Sequence, residues 1–350
     1  MLESRLSHLV EPLREMIYQY DVIINGFRER SGARVAGMTC DILPPEIAAS
    51  LGLVPVRLPS FITGRCVAAG LSDIPGLEKI YDCIIVPGGC AGRESMPALG
   101  VPVHEFRCPA GWGGESSRSM AATLDALLLQ AGAPGLRALD AGTLRTVTEE
   151  YNALRRLIRG ITTARKDKPR LLSCRDLAAV HEAACVLPPS AIAGFLASIL
   201  DALNRATDGG ADGMVPALAY ASFIGDAAVL DHIEEAGCLI ADDDACGGRR
   251  QFDMSYQHAS PDLFGEILDA FSYRPRCPSV RTAEERIQLF YAMIKDQHIE
   301  LVIFIEDLCC PARMRDIETL RVRLMRAGVD PVVVTAGNAF DKIREYVSRY

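Results

Sequence analysis

The residues best suited to chemistry in this sequence are cysteines that follow short apolar runs. Cys40 ends the run RVAGMTC, Cys90 follows YDCIIVPGG, and the adjacent Cys309 and Cys310 follow ELVIFIEDL. Short apolar runs bounded by glycine or proline are typical of buried strands in a parallel sheet. Open α/β sheets bind ligands in the crevice beyond the carboxyl ends of their strands. The sequence therefore predicts that three distant segments bring thiols to one crevice.

Thiols that converge in this way indicate a metal site. The chain has 12 cysteines but no C-x-x-C pair, which disfavours zinc ribbons, thioredoxin-type sites and ferredoxin-type runs. A cubane iron–sulfur cluster can take soft thiolate ligands from scattered loops. One cysteine at a strand end is more often a small buried hydrophobe, but three equivalent strand ends favour the cluster.

The remaining cysteines divide by their surroundings in the sequence. Cys83 and Cys238 lie inside strand patterns and are predicted to be core residues. Three cysteines lie in loops and are candidate additional ligands: Cys108, Cys246 and Cys277. Three others have no distinctive context: Cys66, Cys174 and Cys185.

Two acidic features stand near predicted strand ends. Glu46 opens a helix just after Cys40, where a carboxylate suits the helix dipole and could alternatively transfer a proton beside the cluster. The run ADDDACGGRR places Asp242–Asp244 at a strand end, which predicts a solvated loop with a role in the crevice as the alternative. No GxxxxGK[ST] loop is present, so the chain is not expected to hydrolyse ATP by that route.

The elements that must position these residues alternate between strand and helix patterns. The predicted strands are 33–39, 53–58, 81–87, 101–106, 214–221, 237–241, 300–305 and 331–335. In the predicted helix 143–163, leucines and isoleucines share one face, and Arg155, Arg156 and Arg159 share the other. The sequence predicts two doubly wound α/β domains with parallel sheets and connecting helices.

The predicted division places one set of thiols in each half of the chain. Residues 1–165 comprise N-terminal helices and a first α/β domain with Cys40 and Cys90, and residues 166–350 form a second with Cys309 and Cys310. The polar segment 161–170 is predicted to connect them.

Composition limits the possible partners and the location. The 350 residues are 49% hydrophobic, with a formal charge of −8 and a pI near 5.4. An acidic chain is a poor partner for nucleic acid or an anionic membrane, since either calls for a basic face. No apolar stretch approaches the ~20 residues that span a bilayer, and the first 16 residues have no apolar signal-peptide region. We expect a cytoplasmic protein.

Several segments together resemble a known family. TCDILPPEIAASLGLVPVRL, YDCIIVPGGC, YNALRRLIRG, IEEAGCLIADDDACGGRR, RPRCP and ELVIFIEDLCCP occur in the order seen in the 2-hydroxyacyl-CoA dehydratase family, which includes the benzoyl-CoA reductase subunits. The resemblance, to D-component-like subunits, spans nearly the whole chain. It implies Rossmann-like α/β domains that hold a four-iron four-sulfur cluster with three cysteines in the crevice between strand ends.

The ligands implied by the resemblance are Cys40, Cys90 and one of the adjacent Cys309 and Cys310. A family-like C-x-P pattern selects Cys309, whereas the C-x-x-R spacing that follows both Cys90 and Cys310 selects Cys310; we favour Cys309. A double-cubane cluster with eight irons would use both. The residue after Cys90 is Ala91, where relatives often carry aspartate.

The implied activity is radical elimination of water from an (R)-2-hydroxyacyl-CoA by way of a ketyl. A separate ATP-dependent activator protein with its own iron–sulfur cluster would supply the electron, and a homologous second subunit, or a second copy of the chain, would complete the enzyme. A double-cubane or benzoyl-CoA-reductase-type reductase of small molecules and a non-catalytic electron-transfer protein remain the alternatives.

Overall fold

The computed structural model describes residues 5–40, 42–58, 76–88, 100–107, 114–207, 210–211, 213–221, 227–273, 283–306 and 311–349. Six of the cysteines considered above lie outside the described residues: Cys66, Cys90, Cys108, Cys277, Cys309 and Cys310. The predictions that concern those six therefore stay predictions.

Two four-stranded, fully parallel sheets form the centre of the described structure. The first has the order β2-β1-β3-β4 and consists of β1 (Arg34–Met38), β2 (Leu53–Arg57), β3 (Cys83–Pro87) and β4 (Val103–Phe106). The second has the order β6-β5-β7-β8 and consists of β5 (Val215–Ala221), β6 (Cys238–Ala245), β7 (Leu301–Ile305) and β8 (Pro331–Val334). The two orders are equivalent, and the predicted pair of Rossmann-like parallel sheets is confirmed.

The helices cover both faces of each sheet. They are α1 (Ser7–Tyr18), α2 (Tyr20–Ser31), α3 (Pro45–Ser50), α4 (Leu77–Ile80), α5 (Gly114–Gln130), α6 (Ala141–Asp167), α7 (Cys174–Val186), α8 (Pro189–Arg205), α9 (Ala228–Glu235), α10 (Leu263–Tyr273), α11 (Ala283–Asp296), α12 (Pro311–Arg326) and α13 (Ala339–Val347). Short 3₁₀ turns occur at Leu136–Ala138 and Arg249–Gln251. The start of α7 is fixed by a capping box between Ser173 and Asp176.

Apolar side chains on both faces of the central strands explain the parallel architecture. Every residue of β3 and of β7 is buried, as expected for strands covered by helices on two sides. Cys83 in β3 and Cys238 in β6 are 1% and 0% exposed, which confirms both as core residues.

The helices that follow α6 in the chain do not all pack on the second sheet. Apolar residues of α7 and α8 join the core on one face of the first sheet, and those of α10 join the core on its other face. The second sheet is covered by α9 and α13 on one face and by α11 and α12 on the other. The proposed division at residues 165 and 166 falls inside α6.

Segment 161–170, predicted to be a polar connector, is largely helical and only partly exposed. Helix α6 continues to Asp167, and Arg165 within it is 1% exposed. The Arg165 guanidinium pairs with the Glu234 carboxylate of α9 and donates from Nε to the Leu172 carbonyl (3.0 Å) and from Nη1 to the Ile240 carbonyl (2.9 Å). Those partners offset the cost of burying the charge, so Arg165 is an interior residue although Thr163 and Asp167 of the same helix are exposed.

Among the residues described, no helix is both long enough and apolar enough to cross a lipid bilayer.

Candidate functional site

Cys40 lies where the sequence places it, just beyond the carboxyl end of β1. Strand pairing continues up to this point, since Thr39 N–H donates to the Ile85 carbonyl of β3 (3.2 Å) and Leu58 N–H donates to the Met38 carbonyl (2.9 Å). The Cys40 side chain is partly exposed. It lines a pocket of about 600 Å³, counted to its open mouth, which we call the Cys40 pocket. Its other walls come from α3, β2, α6 and α7 and from the 3₁₀ turn after β6.

A buried arginine joins the two sheets beside this pocket. Arg57 is the last residue of β2, an edge strand of the first sheet, and its side chain is 8% exposed. Its Nη1 donates to the carbonyl of Cys246, which directly follows edge strand β6 of the second sheet, and lies 4.0 Å from Cys185 Sγ on α7. The carboxyl ends of β2 and β6 therefore face each other across Arg57.

Three thiols and a carboxylate surround the Arg57 guanidinium. Burial opposes the charge on Arg57, but Cys185, Cys246, Cys40 and Glu182 together outweigh it and raise the pKa of the guanidinium. Arg57 therefore stays charged, and its field favours the thiolate form of nearby cysteines. A second arginine, Arg250, donates from Nη2 to Cys246 Sγ at 3.2 Å.

Sequence reasoning identified only some of the residues that surround the Arg57 guanidinium. Cys40 is a candidate from its position after a strand and Cys246 from its position in a loop, but Arg57 and Cys185 are not candidates. Arg57 lies near the end of the predicted strand 53–58, which was a usable signal because strand ends line the crevice of an α/β sheet. Cys185 lies inside a helix with no local pattern that marks it.

Glu46 forms a buried ion pair at the base of the same region. It lies in the first turn of α3, is 0% exposed, and pairs through Oε1 with Arg155 of α6, which also lines the Cys40 pocket. The Arg155 guanidinium lies over the rings of Tyr151 (5.9 Å) and Tyr256 (5.2 Å). Arg155 is thus interior, and its predicted place on the polar face of the helix is wrong. Its charge is stabilised inside the protein by the Glu46 carboxylate and the two tyrosine rings.

The second oxygen of Glu46 is not satisfied in the same way. Among the described residues, Oε2 is buried and has no hydrogen-bond partner. A buried polar atom without a partner costs free energy unless a ligand or solvent reaches it. The predicted proton-transfer role of Glu46 stays a prediction, and Oε2 is the atom available for it.

The acidic run after the predicted sixth strand is part of the strand itself. β6 extends to Ala245, and Asp242 and Asp244 are 3% and 1% exposed. Asp242 pairs with Arg249, and Asp244 pairs with both Arg250 (2.8 Å) and Arg286. The predicted solvated loop is wrong, because arginines from the following turn and from α11 compensate these carboxylates inside the protein.

Asp243 has a different role from its two neighbours. Its carboxylate accepts from the backbone N–H groups of Ala245 (3.0 Å) and Arg249 (3.2 Å) and so holds the Gly247–Gly248 turn. Burial raises the pKa of Asp243 to about 6 despite these bonds. The carboxylate remains mostly ionised at neutral pH.

A second pocket lies along α7, against residues nearer its N-terminus than Ala184 and Cys185, which line the Cys40 pocket. This His181 pocket encloses about 720 Å³, counted to its open mouth, between α7, β5, β6, α9 and the Gly247–Gly248 turn. The His181 ring is 4% exposed and packs at 5.2 Å on Phe252, a residue of the Cys40 pocket. Burial and, secondarily, the charge of Arg165 lower the pKa of His181 to about 3, so the imidazole is neutral. The scattered single histidines of the sequence gave no signal for this site.

Of the favoured cluster ligands, the described residues include Cys40 alone. Among them, no group of three or more His, Cys, Asp or Glu side chains is arranged to hold a metal ion. Cys40 suits a thiolate ligand because it is partly exposed, lines a pocket and lies near a permanently charged guanidinium. One described range stops at Gly88, before Cys90, and another stops at Glu306, before Cys309. Gly88 and Glu306 each lie just beyond the carboxyl end of a central strand.

Fold and site together define an α/β protein of two parallel sheets whose carboxyl edges meet at a thiol-containing pocket. The sequence profile of the 2-hydroxyglutaryl-CoA dehydratase D-component family matches residues 40–342. The chain belongs to this family, which confirms the resemblance seen in its motifs.

Other comparisons add little. A search of curated proteins found no match. Among solved structures, the chain is similar to the SBP FpvC from P. aeruginosa in complex with Ni²⁺, with 12% sequence identity over 90% of this chain and 94% of that chain. The TM-score of 0.18 is too low for this similarity to support any argument about fold or function.

Proposed function

We propose that this chain is the iron–sulfur subunit of a 2-hydroxyacyl-CoA dehydratase-like lyase. The reaction is elimination of water from an (R)-2-hydroxyacyl-CoA through a ketyl radical, after ATP-driven one-electron activation. Family membership supports the dehydratase class. The observation that carries the proposal is the position of Cys40, at the carboxyl end of a central strand, in a pocket, and close to the charged Arg57.

The proposed cluster ligands are Cys40, Cys90 and one of Cys309 and Cys310, with Cys309 favoured. When bound, a four-iron four-sulfur cluster with one open iron supplies a Lewis acid for the substrate hydroxyl or carbonyl and relays one electron. Arg57 stabilises the negative charge of the thiolates. The apolar walls of the Cys40 pocket, which include Leu43, Leu154 and Phe252, exclude water from the reacting groups.

Glu46 is the proposed proton-transfer residue. Its Oε1 is held by Arg155, which fixes the carboxylate, and Oε2 can accept or release the proton. One oxygen of Glu46 thus holds the carboxylate in position, and the other exchanges the proton. A general acid or base must be both positioned and reactive.

The proposed partners follow from the reaction. Electron injection at low potential calls for a separate ATP-dependent activator with its own iron–sulfur cluster, and the sequence has no phosphate-binding loop to do this itself. A homologous second subunit, or a second copy of this chain, would complete the enzyme. We place the assembly in the cytoplasm, with an acyl-CoA as its substrate.

One structural observation favours a second candidate function. Cys185 and Cys246 lie beside Arg57 together with Cys40, so this region has two thiols in addition to the proposed ligand Cys40. These extra thiols suit an eight-iron double-cubane reductase or a benzoyl-CoA-reductase-type enzyme acting on small molecules. A non-catalytic electron-transfer protein is the remaining alternative.

Iron counting after anaerobic purification tests the ligand assignment. We expect about four irons and four sulfides per chain with the absorption near 400 nm of thiolate-bound clusters. Cys40→Ala should lose most of this iron, because two thiolates hold a cubane poorly, whereas Cys238→Ala, at a core thiol that is 0% exposed, should keep it. In the same assay, Cys309→Ser should lower the iron content and Cys310→Ser should not.

Other results of this assay are equally informative. Full iron in Cys40→Ala would show that the assignment is wrong. About eight irons in the parent chain, with half lost in each of Cys309→Ser and Cys310→Ser, would establish the double-cubane candidate instead. Iron loss in Cys310→Ser alone would make Cys310 the third ligand.

Glu46→Gln tests the proton-transfer role. Gln keeps an acceptor for Arg155, so we expect normal iron content but dehydration slowed by about 10²- to 10⁴-fold, the usual contribution of a general acid or base. Glu46→Leu combined with Arg155→Met removes both buried charges and controls for stability, because an apolar replacement of an ion pair is often nearly neutral. Unchanged turnover in Glu46→Gln would leave Glu46 with a purely structural role.

A further inference from the structure

Cys40, the proposed cluster ligand that lies among the described residues, does not line the His181 pocket. Its apolar wall is formed mainly by Leu177 and Ala178 of α7, Ala219 of β5, Leu230 of α9 and Ile240 of β6. Concave, mostly apolar sites with a few polar groups are the usual form of small-molecule binding sites. The pocket lies between α7, α9 and one face of β5 and β6, and it extends to the carboxyl end of β6 at the Gly247–Gly248 turn.

The acidic residues of the pocket disfavour an anionic occupant. Asp242 is neutralised by Arg249. Glu182 lies near the Arg57 guanidinium, but Asp243 adds negative charge to the wall, because the bonds that its carboxylate accepts come from backbone N–H groups rather than from a cation. An anionic ligand would meet like charges at short range, which is costly in a partly desolvated pocket.

His181 is the polar side chain of the pocket that can form a hydrogen bond with a ligand. Its side chain lines the pocket and is 4% exposed, and its Nε2 has no hydrogen-bond partner among the described residues. A neutral imidazole donates from one nitrogen and accepts at the other. It therefore matches an uncharged hydroxyl or carbonyl better than a carboxylate, and its lowered pKa agrees with this.

We propose that the His181 pocket binds a short, uncharged aliphatic group that carries one hydroxyl or carbonyl, which His181 recognises through Nε2. The pocket shares α7 with the Cys40 pocket, and His181 packs on Phe252, which lines that neighbour. The identity of the bound group rests on the dehydratase proposed above. In that enzyme, the group bound in the His181 pocket is the acyl chain of the thioester substrate. The substrate is then an acyl-CoA without a second carboxylate.

Binding of a matched neutral and anionic pair tests the pocket directly. The probes are 2-hydroxyhexanamide and 2-hydroxyhexanoate, followed by saturation-transfer NMR on the full, anaerobically purified chain. We expect the amide to bind with a Kd on the order of 1 mM, as befits a ligand of this size, and the anion at least about tenfold more weakly. Equal or tighter binding of the anion, or no binding of the amide, would overturn the proposal.

Two variants of the pocket locate the binding. Ala178→Met fills the cavity from α7, and His181→Phe keeps a ring but removes the hydrogen bond, so each should weaken amide binding by about tenfold or more. Ala197→Met makes the same change at an exposed position of α8 and should leave binding unchanged. Amide binding that survives both pocket variants would place the ligand elsewhere.

The assay separates this proposal from the proposed function. Amide binding is measured without an activator or CoA and does not depend on the iron content, so amide binding by a purified chain that holds no iron would support the pocket while contradicting the dehydratase. Iron binding without amide binding would contradict the proposal for the His181 pocket and leave the dehydratase proposal supported.

Discussion

At the scale of single residues, the molecule is notable for charged side chains held in its interior. Arg57, Arg155 and Arg165 are each less than a tenth exposed, and each has a partner brought from a distant part of the chain. Loss of one member of such a pair leaves a buried charge uncompensated, at a cost of about 3–5 kcal/mol. These residues are therefore expected to tolerate substitution poorly, whether or not they touch a substrate.

The buried His181 makes stability depend on pH. Its pKa is about 3 in the folded protein against 6.5 ordinarily, so below pH 6.5 the unfolded chain binds a proton that the folded protein does not. Stability is then lost as pH falls from 6.5 toward 3, and at pH 5 the loss reaches about 2 kcal/mol. We expect urea unfolding at pH 7.5 and pH 5 to show this difference in the parent chain and a smaller one in His181→Phe.

The control for this experiment is the same comparison in a variant of an exposed histidine. His258→Gln lies at the surface and should retain the full loss between the two pH values. If His181→Phe lost as much stability at pH 5 as the parent, carboxylates rather than His181 would account for the pH dependence.

Residue types and spacing allowed some of these roles to be predicted. Apolar alternation identified Cys83 and Cys238 as core, and position after a strand identified Cys40. Arg155 and Glu46 were not paired in advance because they are 109 positions apart in the chain. Nothing local distinguishes an arginine that finds such a partner from one that faces solvent, so helical periodicity put Arg155 on the wrong face.

At the scale of elements, β6 and the turn that follows it form one cooperative unit. Asp243 in the strand holds the Gly247–Gly248 turn through backbone N–H groups, and the arginines after the turn reach back to Asp242 and Asp244. The strand patterns of the sequence predicted eight strands near their observed positions. They ended this one at residue 241, because carboxylates are rare inside strands unless the tertiary structure compensates them.

The two glycines of this turn should respond differently to the same substitution. A Cβ at Gly248 would lie 1.6 Å from Asp243 Oδ1, whereas one at Gly247 would meet Arg57 Nη1 at 3.4 Å. Gly248→Ala must displace the carboxylate and break its bonds to the turn, so we expect a loss of about 2–3 kcal/mol in urea unfolding.

Gly247→Ala is the matched control for that measurement and should cost less than about 1 kcal/mol. Equal losses in the two variants would mean that Asp243 does not organise the turn.

At the scale of the whole molecule, Arg57 links the sheets where their edge strands β2 and β6 face each other. The architecture of two equivalent sheets could be predicted from the alternation of strands and helices. Their contact could not, because it depends on one side chain that reaches the carbonyl of Cys246, 189 positions away. The packing of α10 on the first sheet likewise could not be predicted from the sequence, since its apolar face would suit either sheet.

Removal of this link should loosen the junction without unfolding either sheet. Arg57→Met leaves the Cys246 carbonyl without its charged donor, and such a hydrogen bond contributes about 1.5–3 kcal/mol. We expect faster hydrogen exchange in residues 245–248 and unchanged exchange in the central strands β1 and β5. Arg156→Met, at an exposed position of α6, should change neither. Faster exchange throughout both sheets would show that Arg57 supports the whole fold rather than the junction.

The order of strands in the two sheets also bears on how the protein avoids self-association. β4 and β8 are the edge strands on the sides of the two sheets away from the Arg57 junction, where unpaired N–H and C=O groups can recruit a strand from another chain. Both are only four residues long; Pro331 begins β8, and Pro102 precedes β4. Short edges with proline resist such strand addition. A partner subunit is therefore expected to dock on the helical layers rather than extend a sheet at β4 or β8.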